Sequence, residues 1–297
     1  MEIYLAMLAG LGGMFGWGLA DFFAKKTVDK IGDFKTLLWM QLFGILPILI
    51  YLLFNWGSVN LGGNIVLFLF LFAIGDLSGY FLFYRGLRKG LVSLLSPVFA
   101  AQSGVAVLVS VFIFGEAIGP MRWVGLAVTF VGIILTSFQP LESGKLSLKN
   151  ISKGLPEVLI GMIIFGFFFP CWDWFLEYQG EGWIVSVILV RCMLVIILLT
   201  SLYIVFSRRK ERVEIRPREK KLWMWLILIA LFDTTASLSV SWGFKFTSIT
   251  SIVVILQGAF PLPTVILARI FLKEKLAVNQ LIGVAGIIAG LIVLAMY

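Results

Sequence analysis

Long apolar runs fill this chain, and short polar stretches cut them at fairly even intervals. Ten runs stand out, at roughly 3–20, 36–54, 65–84, 91–115, 122–138, 155–177, 183–206, 222–242, 248–272 and 276–296. Most are close to the ~20 residues that a helix needs to cross the hydrocarbon core of a bilayer. The pattern predicts an all-α integral membrane protein with ten transmembrane helices. The runs use nearly the whole chain and leave no linker long enough for a separate domain.

A second pattern overlies the first. Asp76, Gly86, Glu116, Gly125 and Gly132 recur about 157 residues later as Asp233, Gly243, Glu274, Gly283 and Gly290. One residue of slack, between Gly86–Ser93 and Gly243–Ser251, brings the copies into register. The early parts match more loosely. Gly10 and Phe15-Gly16-Trp17 correspond to Gly161 and Phe165-Gly166-Phe167, and Gln41 falls near Arg191. The reading is a first five-helix repeat at 1–138, a polar linker rich in Ser, Lys and Gly at 139–153, and a second repeat at 154–297. An odd number of spans per repeat inserts the halves in opposite orientations, related by a pseudo-two-fold axis in the membrane plane. Repeated membrane segments of this kind are the mark of a secondary transporter.

Composition agrees and removes several chemistries. The chain is 60% hydrophobic and only 13% charged over 297 residues, whereas a soluble domain carries about 25% charge. Histidine is absent, which excludes Ser-His-Asp triads, His-ligated zinc and His proton relays. Cys171 and Cys192 lie inside apolar runs without metal-site spacing, so they are read as small core residues. No Gly-rich segment ends in Gly-Lys-Ser or Gly-Lys-Thr, so no phosphate loop for ATP is expected. Neither a cofactor nor a metal is called for.

The net charge of +8 suggests nucleic acid only until the basic residues are placed. Of the 24 Lys and Arg residues, 21 fall in the five alternate loops 1/2, 3/4, 5/6, 7/8 and 9/10. Arg122 and Lys245 lie on the other side, and Arg191 lies inside a run. Positive loops stay in the cytoplasm, so both termini are expected outside. The 208–221 run reads as a cytoplasmic loop that touches anionic lipid. The start Met1-Glu2-Ile3 has no basic n-region, and Asp21-Phe22-Phe23-Ala24-Lys25-Lys26 is no small-residue cleavage site, so the first run is expected to stay as a span ending near residue 20. A multi-pass protein of the cell membrane follows, as a monomer or a homodimer, with a small solute and protons as partners and no nucleic acid.

Glycine and proline mark where helices approach or loosen. Gly12 with Gly16, and Gly286 with Gly290, are small-xxx-small pairs. Pro47, Pro97, Pro170, Pro261 and Pro263 fall within runs, where lost backbone bonds are tolerated only against a cavity or a neighbouring helix. The double break at Pro261-Leu262-Pro263 has its counterpart around Ser103-Gly104.

Taken together, these residues resemble the drug/metabolite transporter superfamily, in particular its EamA type. The likeness rests on Gly86, Ser93 to Pro97, Gly115-Glu116, Gly125 and Gly132, on their second-half counterparts, and on Phe15-Gly16-Trp17-Gly18 in the first span. It covers essentially the whole chain. It implies transport of small metabolites without ATP, and amino acids, sugar-like solutes and drug-like solutes all occur in the family. Members are often described with cytoplasmic termini, the reverse of what the loop charges indicate here.

Charged residues inside a membrane are costly and are functional candidates by default. Asp76 and Asp233 hold matched repeat positions in spans 3 and 8, Arg191 lies in span 7, and Asp173 lies in span 6. Helical spacing puts Asp76, Tyr80 and Tyr84 on one face, and Asp233, Ser237 and Ser241 on another. Gln41, Gln102, Gln257, Trp17 and Trp242 complete the candidate cavity, expected between the halves with help from spans 1, 2, 4, 6, 7 and 9. Two roles stay open for the aspartates: a structural one, capping loosened backbone or pairing with Arg191, and that of a protonatable coupling group. Arg191 either pairs with them or binds an anionic substrate, for which its planar fork is suited. Glu116 and Glu274 are expected at span ends, capping or pairing with Arg122, Lys273 or Lys275, and the tryptophans read equally as interface anchors.

The leading expectation is proton-coupled efflux of a small metabolite by alternating access. A facilitator or an uptake carrier for a sugar or organic anion is the alternative. A membrane aspartyl protease is the remote rival, since two aspartates lie in apolar helices, but Ala73 stands where a Gly-x-Gly-Asp motif needs its first glycine. A scramblase or channel would need more polar residues than these spans hold.

Overall fold

A computed structural model describes residues 2–54, 63–115, 117, 119–140, 146–179, 183–208, 216–246, 253 and 256–296. The first half holds α1 (Glu2–Ile31), α2 (Asp33–Phe54), α3 (Gly63–Lys89), α4 (Val92–Ala100), α5 (Gln102–Phe112) and α6 (Pro120–Ser137). The second holds α7 (Leu155–Gln179), α8 (Trp183–Arg208), α9 (Lys220–Phe246), α10 (Pro261–Leu267) and α11 (Val278–Met296). A π-helical turn at Ala268–Leu272 extends α10. Between the halves lies a two-stranded antiparallel ribbon, β1 (Phe138–Pro140) with β2 (Leu146–Ile151), where the sequence suggested only a polar linker.

Seven segments are long and apolar enough to cross a bilayer, counting α4 and α5 as one broken span, and three shorter apolar helices at Pro120–Leu135, Leu256–Leu272 and Val278–Leu294 bring the total to ten. The fourth and ninth spans are interrupted at the same place in each repeat. Ala101 separates α4 from α5, and Ala259 and Phe260 form the turn before α10. At both breaks the backbone closes tight turns, Gly104 N–H to the Ala101 carbonyl at 2.9 Å and Leu262 N–H to the Ala259 carbonyl at 2.9 Å. Pro261 and Pro263 need no donor of their own in the first turn of α10, so they start a helix rather than kink one.

The helix contacts keep their form when the halves are exchanged. Helix α1 packs along α9, and α7 packs along α3; α6 packs along α11, its own counterpart. Small residues make these crossings. A Cβ on Gly125 would lie 3.0 Å from the Gly290 carbonyl oxygen, and one on Gly132 would lie 2.7 Å from that of Gly283. The seven-residue step in each copy therefore puts two glycines on one face, and the copies meet antiparallel. On the α1–α9 crossing a Cβ at Gly16 would lie 2.7 Å from both Ala236 Cβ and the Phe232 carbonyl oxygen, and Gly12 abuts Ser239. On the mirrored α3–α7 crossing, Gly79 abuts Phe165 and Gly86 abuts Val158. This close approach is what van der Waals packing between membrane helices requires.

One expectation needs correcting. The first span does not end near residue 20. Helix α1 continues to Ile31, where Gly32 at φ 88° breaks it, and Asp21 and Lys25 are buried. The charges did not stop the helix because both are satisfied inside the bundle: Lys25 Nζ donates to the Leu87 carbonyl at 2.7 Å and to Asp29 at 2.9 Å. Lys25 thereby caps the last turn of α3, where free carbonyls favour a cation.

The largest core cluster runs through the middle of the bundle, with Leu37, Phe83, Tyr84, Leu95 and Phe99 among its fully or nearly fully buried members. Phe83 and Phe99 stack at 4.1 Å. All nine residues of α4 are buried, which places the first half of the broken fourth span inside the molecule rather than against lipid.

The basic end of the bundle is tied shut by long-range polar contacts. Glu274 accepts from the Val92 and Ser93 backbone N–H groups at 3.2 and 2.9 Å and from Ser93 Oγ at 2.6 Å. It caps α4 from 181 residues away, in place of the expected pairing with Lys273 or Lys275. Lys89 pairs with Glu157, and Arg88 faces Asp33 at 3.5 Å.

Candidate functional site

Four helices bring a buried ionic cluster to the pseudo-two-fold axis. Arg191 comes from α8, Asp233 from α9, Gln41 from α2 and Tyr80 from α3. One Arg191 amino group donates to Asp233 Oδ2 at 2.6 Å, and the other donates to Gln41 Oε1 at 2.6 Å. The Tyr80 hydroxyl donates to Asp233 Oδ1 at 2.9 Å. Arg191 is 8% exposed and Asp233 1%. Each hydrogen bond is charge-assisted, and both carboxylate oxygens are used. A pair this deep persists only with such partners, because each isolated ion carries a desolvation penalty of several kcal/mol. Close packing fixes the guanidinium: Gly44 on α2 faces both Arg191 and Thr234, and the Thr234 hydroxyl donates to the Gly44 carbonyl at 3.4 Å.

The cluster draws on both repeats. Asp76 and Asp233 hold matched repeat positions, and Gln41 falls near the position of Arg191. Asp76 lies in the field of Arg191 and Asp233 but makes no hydrogen bond or close ion pair among the described residues. The two aspartates thus differ in circumstance: Asp233 is locked, and Asp76 is not.

Asp21 belongs to the same region and was missed in the sequence. It is 7% exposed, accepts from Ser96 Oγ at 2.6 Å, and lies in the field of Asp233. The register of the α1–α9 crossing, with Gly12 on Ser239 and Gly16 on Ala236, sets Asp21 within about a turn of the level of Asp233. The signal was present in the apolar Phe22-Phe23-Ala24 that follows it, but Lys25 and Lys26 concealed it.

The remaining candidates divide. Tyr84 is fully buried, and its hydroxyl points to Met40 Sδ at 2.9 Å rather than to an ion. Trp17 lies edge-on to Phe260 at 6.2 Å, against the break of the ninth span, and its Nε1 is buried without a partner among the described residues. Gln257 Oε1, before that break, and Gln102 Oε1, after the break in the fourth span, are also buried and unpartnered, as is Gln41 Nε2. Buried polar atoms without partners are rare in folded proteins, and each calls for an explanation. Among the described residues, four of the five such atoms lie at the helix breaks and at the ionic cluster, and the fifth is Arg122 Nε in the first turn of α6. Ser237 and Ser241 lie half-buried along α9, one and two turns beyond Asp233. Trp242 packs with a separate apolar group around Ala6, Ala9, Val240 and Val253, away from the ions. The side chain of Asp173, and Glu116 and Ser251, lie outside the described residues. No cluster of potential metal ligands occurs among the described residues.

Comparison with known proteins matches this architecture. No curated protein sequence matches the chain. Among solved structures, 26 chains match, and one crystal structure superposes with a TM-score of 0.64 over 97% of this chain and 95% of its own, at 14% identity. At that identity the likeness shows the fold alone. The sequence profile of the EamA-like transporter family matches twice, over residues 4–138 and 152–296. With both halves matched, the chain belongs to the EamA-like transporter family, a branch of the drug/metabolite transporter superfamily whose members are membrane transporters rather than enzymes.

Proposed function

We propose that this protein is a proton-coupled secondary transporter, an exporter of a small amino acid-, sugar- or drug-like solute, working by alternating access between its two halves. The observation that carries this reading is the buried cluster of Arg191, Asp233, Gln41 and Tyr80 on the axis, with Asp76 in its field and unpartnered. A site at the repeat interface, beside discontinuous helices, is where transporters of inverted-repeat design hold solute and ion. Trp17, Gln102 and Gln257 offer unpartnered polar atoms at those discontinuities, and a solute's own donors and acceptors would satisfy them.

The arrangement favours proton coupling over binding of an organic anion. Arg191 already spends one amino group on a carboxylate and the other on an amide. An anionic solute would have to displace Asp233 and leave a buried carboxylate unpaired. A proton on Asp76, which no ion pair holds among the described residues, instead changes the charge of the cluster without breaking the Arg191–Asp233 pair, and histidine is absent as an alternative carrier. The clasp of Glu274 on Ser93, with the ion pairs around it, closes the basic end. On the orientation expected from the loop charges, that end faces the cytoplasm, and these contacts support the reading of a state shut toward it.

The test is solute flux in proteoliposomes. Asp76→Asn and Asp233→Asn keep shape and mimic the protonated acid. The coupling position, once neutralised, abolishes accumulation driven by a pH gradient and preserves counterflow exchange. If Asp21→Asn, Asp76→Asn, Asp173→Asn and Asp233→Asn all still concentrate solute on a pH gradient, proton coupling is wrong and the protein is a facilitator, an exchanger or a carrier coupled to another ion.

A further inference from the structure

At the basic end of the bundle, the last turns of α1 and the first turn of α9 bring two lysines onto one indole. Lys26 Nζ lies 4.3 Å from the centre of the Phe22 ring, 5.4 Å from Trp225, 5.8 Å from Phe271 and 5.9 Å from Phe23. Lys221 Nζ lies 5.4 Å from the same Trp225 ring. Aromatic faces steady an ammonium but do not neutralise it. Among the described residues neither lysine has a carboxylate at ion-pair distance, and the charge that faces Lys26 is the like charge of Lys221. Of the described acids close by in sequence, Asp29 pairs with Lys25 at 2.9 Å, and Glu219 faces Lys30 at 3.6 Å.

Two ammonium groups held over one ring repel each other, and an anion between them removes that cost. The surroundings decide which anion. Phe271 is 63% exposed on the outer surface of the bundle, and the Lys26 ammonium sits over the Phe22 ring. The site therefore has a charged upper part and an apolar wall beneath it. That is the profile of a phospholipid, with its headgroup at the interface and its chains in the hydrocarbon. A basic pocket between transmembrane helices on the cytoplasmic side has the charge to hold an anionic headgroup.

We infer that Lys26, Lys221 and Trp225 bind the phosphate of an anionic phospholipid of the cytoplasmic leaflet, with its acyl chains against Phe271. The lipid bridges α1 and α9, one from each half, and so braces the interface from outside.

The test uses the full chain in detergent, with native mass spectrometry to count retained lipid and thermal unfolding to measure stabilisation. Phosphatidylglycerol, phosphatidylcholine and inorganic phosphate are added in separate arms. Phosphatidylglycerol is expected to be retained and to raise the unfolding temperature, while the other two do neither. At roughly 1 kcal/mol per basic residue near an anionic surface, Lys26→Met and Lys221→Met each weaken retention about fivefold, and together about thirtyfold. Lys221 is exposed, so its single variant reads the site even if the Lys26 variant folds poorly. Lys220→Met, next along the chain, leaves retention unchanged. Equal retention of the two lipids, equal loss in Lys220→Met and Lys221→Met, or stabilisation by inorganic phosphate alone would each overturn the assignment.

Discussion

Replacing Arg191 by methionine isolates what the central ion pair contributes. Methionine keeps much of the apolar stem and removes the guanidinium. Asp233 then keeps only the Tyr80 hydroxyl, at 2.9 Å, and Gln41 loses its donor. The direct attraction across the 2.6 Å contact is about 6 kcal/mol at an effective dielectric of 20. Desolvation opposes it, and breaking a buried pair by removing one partner has a measured cost of about 3–5 kcal/mol. A neutral hydrogen bond between membrane helices contributes only about 0.6 kcal/mol on average. The two accounts of the cluster, ion pair or ordinary polar packing, thus differ severalfold. Reversible unfolding in mixed micelles titrated with SDS, followed by tryptophan fluorescence, resolves that difference. Arg191→Met and Asp233→Asn are each expected to lose about 3–5 kcal/mol. Because removing the second partner removes the unpaired charge, the double variant should lose about 2–3 kcal/mol less than the sum of the two. Additivity within about 0.5 kcal/mol would refute the claim that Arg191 and Asp233 form a coupled buried pair.

Other outcomes follow from local geometry. Gly132→Ala puts a methyl 2.7 Å from the Gly283 carbonyl oxygen and 2.8 Å from Ile287 N, where backbone cannot yield, so it should destabilise by about 1–3 kcal/mol in the same titration. Gly119→Ala, whose added Cβ meets open space, should change stability by less than about 0.5 kcal/mol. Glu274→Ala removes a cap with three hydrogen bonds and should cost about 1–2 kcal/mol, with Glu274→Gln in between, since one amide oxygen still accepts. A reporter that fluoresces only in the cytoplasm should stay dark when fused after Tyr297; fluorescence would reverse the orientation drawn from the loop charges.

The repeat was legible because membrane helices leave a coarse imprint: about 20 apolar residues per span, with glycine wherever two backbones must meet. The Gly125–Gly132 and Gly283–Gly290 steps were visible as spacing, though spacing alone did not say that the two copies face each other. The paired positions of Asp76 and Asp233, and of Gln41 and Arg191, came from the same imprint. Partner choice was not legible. Glu274 reaches across 181 residues to α4 rather than to the lysines beside it. Tyr84 shares a helical face with Asp76 and Tyr80 but turns its hydroxyl to Met40. Asp21 was passed over because the first span was expected to end near residue 20, where the charges begin. Inside a bundle that rule fails, since a neighbouring helix satisfies Lys25 as water would. The ribbon at β1 and β2 is backbone pairing, which a polar linker does not announce.

The position of Gln41 opposite Arg191 has a consequence for the symmetry of the two halves. In a two-fold dimer of identical chains, residue i meets j wherever j meets i, and a residue on the axis meets itself. The glycine contacts of α6 and α11 obey that rule. The axis position of α2 and α8 does not: it holds an amide on one side and a guanidinium on the other. Identical halves would have forced two amides together, or two cations. Joined in one chain, the halves were free to diverge at this point. Exchange of the halves is then no longer neutral in energy, because it would carry the cation across the axis. The two halves are therefore not interchangeable at the centre of the bundle: one supplies the cation and the other the amide that accepts from it.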